Sequence, residues 1–157
     1  MGCGPGDIVG YLPSDVHYVG FDASPTYIES AQARFGHRAT FHCQSISAGF
    51  ASLYSGFDIA MANGVLHHLK DAQALVLLDG ARYALGRYGR FVSLDGCYVP
   101  NQSPIAKWLI DHDRGKHVRT PDAYLSLARK IFRTVVPHVR HNLNRFPYTH
   151  YIMECQV

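Results

Sequence analysis

The chain opens on Gly2-Cys3-Gly4-Pro5-Gly6-Asp7, a string whose alternate glycines let the backbone take positive φ and approach a ligand without a side-chain clash. Asp22 stands twenty residues beyond Gly2, at the end of a β-prone run. A carboxylate there, set against a glycine turn, can accept both hydroxyl protons of a ribose. Taken separately, the glycines read as a tight turn and Asp22 as a cap or surface acid; the spacing joins them. A second reactive group is Asn63-Gly64-Val65-Leu66-His67-His68. Imidazole titrates near neutrality, so His67 or His68 is placed to take a proton from a hydroxyl or a protonated amine. The competing reading of this stretch is the start of a helix with one histidine buried. Asp95, Tyr98 and His112 are weaker candidates for the same duty. Trp108 and Tyr148 either wall a substrate pocket or fill the core.

Elements must hold these residues in place. Residues 16–21 read as a strand; Ser24 as N-cap and Pro25 as first helical residue predict a helix over 25–35, closed by Gly36. A β-prone run at 39–42 leads into Gln44-Ser45, and a short apolar helix is expected around 47–54. Residues 57–62 read as a strand ending at Asn63-Gly64. Asp71 then opens a helix in which Ala74, Leu78, Ala81 and Leu85 recur on one face. Residues 90–94 form a buried-type strand, entered through Gly89 and left through Asp95-Gly96. A short helix is expected over 104–113, a break at Arg114-Gly115-Lys116, and a helix from Thr120-Pro121-Asp122 through Phe132, with Tyr124, Ala128 and Ile131 on its inner face. The tail alternates as a hairpin does, with arms at 135–143 and 148–155 and a turn at 144–147. Strands alternating with helices imply parallel βαβ units whose carboxyl ends share one sheet edge, where ligands bind. Asp22, Gln44-Ser45, Asn63-Gly64 and Asp95-Gly96 each follow a strand directly, so this topology collects them around one crevice.

At 157 residues and 17.5 kDa, with 47% apolar and 17% charged residues, the chain has the size and composition of one globular domain. No membrane-length apolar run or export leader is legible, so a soluble, cytoplasmic protein is expected. Cys3, Cys43, Cys97 and Cys155 are scattered without CxxC spacing, which fits a reducing compartment and gives no zinc motif. Residues 1–104 carry 6 Lys/Arg against 8 Asp/Glu, and residues 105–157 carry 9 against 4; a solvated basic face explains this better than a nucleic-acid partner. Among the ten histidines, His67-His68 are adjacent and His138/His141 are three apart on an expected strand, with no HExxH. No metal is expected.

With these pieces assembled, the sequence resembles class I S-adenosylmethionine-dependent methyltransferases, of the small-molecule, methyltransferase type 11/25-like kind, over essentially its whole length. GCGPG is similar to the family's cofactor loop, YVGFDASPTYIESAQARF to its second motif, FDIAMANGVLHHLKD to its fourth-strand motif and GRFVSLDG to its fifth strand. The resemblance implies S-adenosylmethionine as cofactor. It implies that Gly2, Cys3, Gly4 and Gly6 form the loop against the methionine and ribose parts and that Asp22 binds the ribose hydroxyls. Ala23 would flank adenine, Gln44 and Ser45 stand near the adenine amine, and Asn63, Gly64 and Leu66 line the methionine end. Gln44 stands where members often place Asp; an amide oxygen still accepts from the adenine amine.

Members of the family also begin with a hydrophobic strand ending in an acid two positions before the first glycine, whereas Met1 here immediately precedes Gly2. The expected architecture is therefore a Rossmann-like doubly wound α/β fold, with a mostly parallel sheet and a C-terminal antiparallel hairpin, lacking its first strand. It would form a single methyltransferase-like domain over 1–157, either N-terminally truncated or with another segment in that strand's place. Each buried backbone group orphaned by the loss costs about 1–3 kcal/mol, against a typical total stability of about 5–15 kcal/mol.

The expected function is methyl transfer to a small-molecule acceptor by in-line displacement, where alignment supplies most of the acceleration. The alternative is a non-catalytic cofactor-fold fragment or pseudo-enzyme that serves as an interaction module. A nicotinamide reductase is disfavoured because Asp7 stands where GxGxxG needs glycine. Nucleic-acid methyltransferases are disfavoured because neither an Asn/Asp-Pro-Pro-aromatic nor a Pro-Cys motif follows the fourth-strand segment. Tyr98, Lys107, Trp108, Arg114, Lys116 and Arg119 make residues 97–119 basic and aromatic, which favours an acidic or aromatic acceptor.

Overall fold

The computed structural model describes residues 1–45 and 54–157, which fall into two compact units, Met1–Ile46 and Ser47–Val157. In the first unit the glycine string runs into a 3-10 turn, Asp7–Tyr11. Strand β1 (Tyr18–Asp22), helix α1 (Pro25–Phe35) and strand β2 (Ala39–Cys43) follow. Helix α1 starts where its capping residues dictate. The Ser24 hydroxyl accepts from Tyr27 N at 3.4 Å, Pro25 lies in the first turn, and Gly36 N closes on Gln32 O. Strands β1 and β2 pair in parallel, with Asp22 opposite Cys43, so both carboxyl ends lie side by side. Val9, Ala31 and Phe41 form the buried core of this unit, with Cys3, Ile8, Tyr18, Ile28 and Phe35 packed against them.

The second unit contains β3 (Phe57–Asn63), α2 (Asp71–Ala84), β4 (Leu85–Gly96), α3 (Pro104–Asp111), α4 (Pro121–Ala128), β5 (Thr134–Arg140) and β6 (His150–Gln156). Its sheet has the order β3-β4-β6-β5, with β3 and β4 parallel and β6 antiparallel to both β4 and β5. The parallel pairs and the C-terminal hairpin are thus the expected ones. Burial alternates along β4, so that Phe91, Ser93 and Asp95 are inside. Phe91 stacks on Phe132 at 5.6 Å and Tyr124 on Tyr151 at 5.3 Å. Ala74, Leu77, Leu78 and Ala81 of α2 complete this core.

Several expectations differ in detail: Leu85, expected on the helix face, lies in β4, and the hairpin arms expected over 135–143 and 148–155 run over Thr134–Arg140 and His150–Gln156. Strand β4 begins at Leu85 rather than Arg90, directly off α2, because the stretch holding Gly86 and Gly89 stays extended through a register shift opposite Phe57–Ile59. Helix α4 ends at Ala128, and Lys130 and Ile131 donate to carbonyls three residues back in a tighter turn that buries Phe132 in place of Ile131. Helix α3 stops at Asp111, ahead of the expected 113. The short helix expected around 47–54 falls largely on residues 46–53, outside the described residues. Among the described residues, no helix is long and apolar enough to cross a membrane, and all four cysteines are free.

Candidate functional site

Asp22 turns toward the glycine string. Its Oδ2 accepts from Gly4 N at 2.9 Å and its Oδ1 from Ser24 N at 2.9 Å. A carboxylate has about four lone-pair directions, so this clasp fixes the group and leaves two directions for further donors. Gly2, Gly4 and Gly6 all have positive φ, at 64°, 53° and 76°. Among the described residues, a Cβ at Gly4 would meet no atom within 4 Å, so none of them fills the space a side chain would occupy beside the carboxylate. Cys3 N donates to Phe21 O at 2.9 Å, tying the string to the end of β1. The Cys3 thiol is pushed up from its ordinary value, chiefly by burial. Arg34 of α1 holds the turn from outside, donating to Asp7 Oδ1 at 2.6 Å and to Pro5 O. Gln44 N donates to the Asp22 carbonyl at 2.9 Å. Ser45 and Ala23 are exposed at the same strand ends. All the residues expected at the cofactor's nucleoside end therefore belong to one unit, and the carboxylate faces the glycines.

The second unit holds the remaining site residues. Asn63 ends β3 and is exposed; Gly64, with φ 68°, donates to Leu94 O at 2.7 Å. Leu66, His67 and His68 form a 3-10 turn in which Leu66 and His67 are buried and His68 is exposed. His67 is clamped by Asp95, whose Oδ1 accepts from His67 N at 3.1 Å and lies 2.7 Å from Nδ1. His67 is 6% exposed and Asp95 only 1%. Burial pushes the Asp95 carboxyl above its ordinary value, and the bonds from His67 pull it back. An ionised carboxylate only accepts, so within this pair Nδ1 is the donor, and Nε2 is the nitrogen that Asp95 does not engage. Nε2 lies 3.8 Å from Asp113 Oδ1.

Asp113 is itself held by Gly115 N at 3.2 Å on Oδ1 and by the Tyr148 hydroxyl at 3.0 Å on Oδ2. Partial burial pushes its carboxyl up, but these bonds outweigh that and keep it below its ordinary value. His68 is lowered by burial and by His67 beside it; the two rings lie 4.1 Å apart. Gly115 packs directly on the His67 imidazole, and a Cβ there would collide with the ring.

The sequence reading gave neither the place of Asp113 beside His67 nor the burial of Arg119. Asp113 gave no motif signal because nothing near it in sequence marks it. Arg119, named among the basic and aromatic residues of 97–119 expected to favour an acidic or aromatic acceptor, is buried. Its guanidinium donates to Leu66 O at 2.8 Å, Leu69 O at 2.6 Å and His117 O at 3.0 Å, and through Nε and Nη2 to Asp71 Oδ1. Arg119 thereby fixes the turn that carries His67 and the start of α2. The other candidates engage elsewhere. Tyr98, pushed up to about 12 by burial and by Asp111, donates to that acid at 2.7 Å, which also pairs with Lys107 at 2.7 Å. The His112 ring lies on Trp108 at 4.3 Å. Trp108 is exposed, so it is not a core residue.

Residues 1–89 match the family model described as a methyltransferase domain. No curated protein matches the sequence. Among solved structures, the chain is similar to mitomycin 7-O-methyltransferase at 14% identity and TM-score 0.76, over 99% of this chain and 47% of that one. It is similar to human N-acetylserotonin methyltransferase in complex with SAM at 18% identity and TM-score 0.73, over 99% and 46%. It is equally similar to a structure described as a pericyclic reaction enzyme, at 18% identity and TM-score 0.74, over 100% and 42%. At these identities the likeness establishes the Rossmann-like α/β fold. The chain spans about half the length of these structures.

Proposed function

Because the chain belongs to the methyltransferase-domain family, we propose that it transfers a methyl group from S-adenosylmethionine to a small-molecule acceptor, with residues 1–157 working as one catalytic domain. The observation that carries this reading is the Asp22 carboxylate held by Gly4 N and Ser24 N beside an open glycine turn. When bound, S-adenosylmethionine supplies a methyl group on a positively charged sulfur. Asp22 accepts the ribose hydroxyl protons on the lone pairs the backbone leaves free. Gly2, Cys3, Gly4 and Gly6 present backbone at close range. Ala23 flanks adenine, with Gln44 and Ser45 near its amine, while Asn63, Gly64 and Leu66 serve the methionine end.

His67 is the proposed base. Its Nε2 lone pair takes the proton of an acceptor hydroxyl or ammonium, and Asp95 orients the ring and stabilises the imidazolium that results. His68, exposed and lowered in pKa, stands beside it as the alternate proton acceptor. Lys107 is already paired with Asp111, which leaves Arg114 and Lys116 as exposed cations of that segment suited to an acidic acceptor. Calorimetric titration with S-adenosylmethionine tests the reading. Saturable binding that Asp22→Ala weakens supports it, whereas a folded chain with no binding at millimolar cofactor returns the protein to a non-catalytic interaction module.

A further inference from the structure

Sequence spacing gave no metal motif, yet the fold brings one ligand atom each from His67, His68 and Asp113 within 4.8 Å of one another. We propose that these three side chains form a site for a divalent transition-metal ion of the zinc class, and that the bound ion occupies the imidazole nitrogen which otherwise accepts a proton.

Three protein ligands of the type His, His and carboxylate, with a remaining position open to solvent, are a donor set that zinc accepts. Zinc–nitrogen and zinc–oxygen bonds of about 2.0–2.2 Å separate tetrahedral ligand atoms by about 3.4 Å. His67 Nε2 and Asp113 Oδ1 stand 3.8 Å apart, too far for a hydrogen bond and within roughly half an ångström of that ligand separation. His68 is exposed at the end of its turn, so its ring can close the remaining gap by rotating its side chain. Metal-bound imidazoles are usually oriented by a carboxylate on the far nitrogen, and Asp95 Oδ1 occupies that position at 2.7 Å from His67 Nδ1. Asp113 is likewise held, by Tyr148 and Gly115. Two of the three ligands thus already have the outer partners that a metal site needs. Asp113 is partly exposed, which supplies an entry path.

A lone pair bound to a metal cannot accept a proton, so occupancy would silence His67 as a base. That consequence rests on the methyltransfer reading; the site itself does not. The experiment is a cobalt(II) titration of the whole chain followed by visible absorption, together with zinc equilibrium dialysis, both without cofactor. One ion per chain is expected, with ligand-field bands of a four- or five-coordinate cobalt ion. Asp113→Asn and His68→Ala, both at partly or fully exposed side chains, are expected to weaken binding more than about 100-fold, and Tyr148→Phe about 10- to 100-fold. His138→Ala should leave it unchanged. Nitrogen-detected NMR should show the His67 Nε2 resonance moving on zinc addition. Absence of stoichiometric binding, survival of binding in folded Asp113→Asn and His68→Ala, or an unmoved Nε2 signal overturns the proposal. Failure of the chain to bind S-adenosylmethionine would leave these readouts intact.

Discussion

The Asp22 clasp and the His67 cluster solve the problem of fixing a reactive side chain in opposite ways. Asp22 is held by backbone N–H groups of Gly4 and Ser24, the latter only two residues away. His67 is held by side chains, with Asp95 28 positions along the chain and Arg119 bracing its turn from still farther off. The first arrangement survives almost any change that keeps the glycines and the strand end. The second depends on several buried polar groups being satisfied at once, and such networks lose heavily when one member goes.

Substitutions should separate the two regions by what they damage. The largest effect is expected from His67→Gln, which removes the proposed proton acceptor: steady-state methyl transfer should fall about 10²- to 10⁴-fold, while calorimetric affinity for S-adenosylmethionine stays level. A matching loss of cofactor affinity would break the division of labour. Arg119→Ala comes next, on stability. It takes the guanidinium donors from the Leu66, Leu69 and His117 carbonyl oxygens, of which Leu66 O keeps its bond from Leu69 N, and is expected to cost on the order of 3 kcal/mol in urea unfolding, although the Asp71 side chain it pairs with is mostly exposed. Asp22→Ala should weaken cofactor binding about 10- to 100-fold, the worth of about 1.5–3 kcal/mol for hydrogen bonds to a charged group, with little change in unfolding midpoint.

The smallest effect concerns pH. His150 is buried without a partner for Nδ1 among the described residues, and burial lowers its pKa from the ordinary 6.5. The unfolded chain therefore binds a proton that the folded chain resists, so stability is complete above about 6.5 and declines as pH falls below it. His150→Phe should flatten that slope in thermal melts between about pH 7 and pH 5.

The same contrast explains what the amino-acid string made legible. Ser24, Pro25 and Gly36 mark the ends of α1 because caps act within a turn, and Asp22 is found because a glycine string and a strand end are local patterns. Asp113 and the burial of Arg119 are invisible to such reading. Arg119 looks like one more surface cation in a basic stretch, and only the return of its segment onto the turn at Leu66–His68, where His117 N meets His67 O at 2.8 Å, buries it. The early start of β4 was hidden for a different reason. Gly86 and Gly89 punctuate the sequence like a loop, yet pairing with β3 holds that stretch extended. His67 itself was legible as a candidate, but its neighbour Asp95 could be joined to it only by the parallel β3–β4 register, which sets Asn63 opposite Leu94.

Gly115 leaves no room for even a Cβ beside the Cδ2 edge of the His67 imidazole, and Nδ1 is pinned by Asp95. An aromatic ring wedged in this way cannot swivel end over end, so its two nitrogens keep separate identities for as long as the fold persists. In the proposed role of base, a proton taken on Nε2 would have to leave from that same nitrogen, with no turn of the ring to carry it inward.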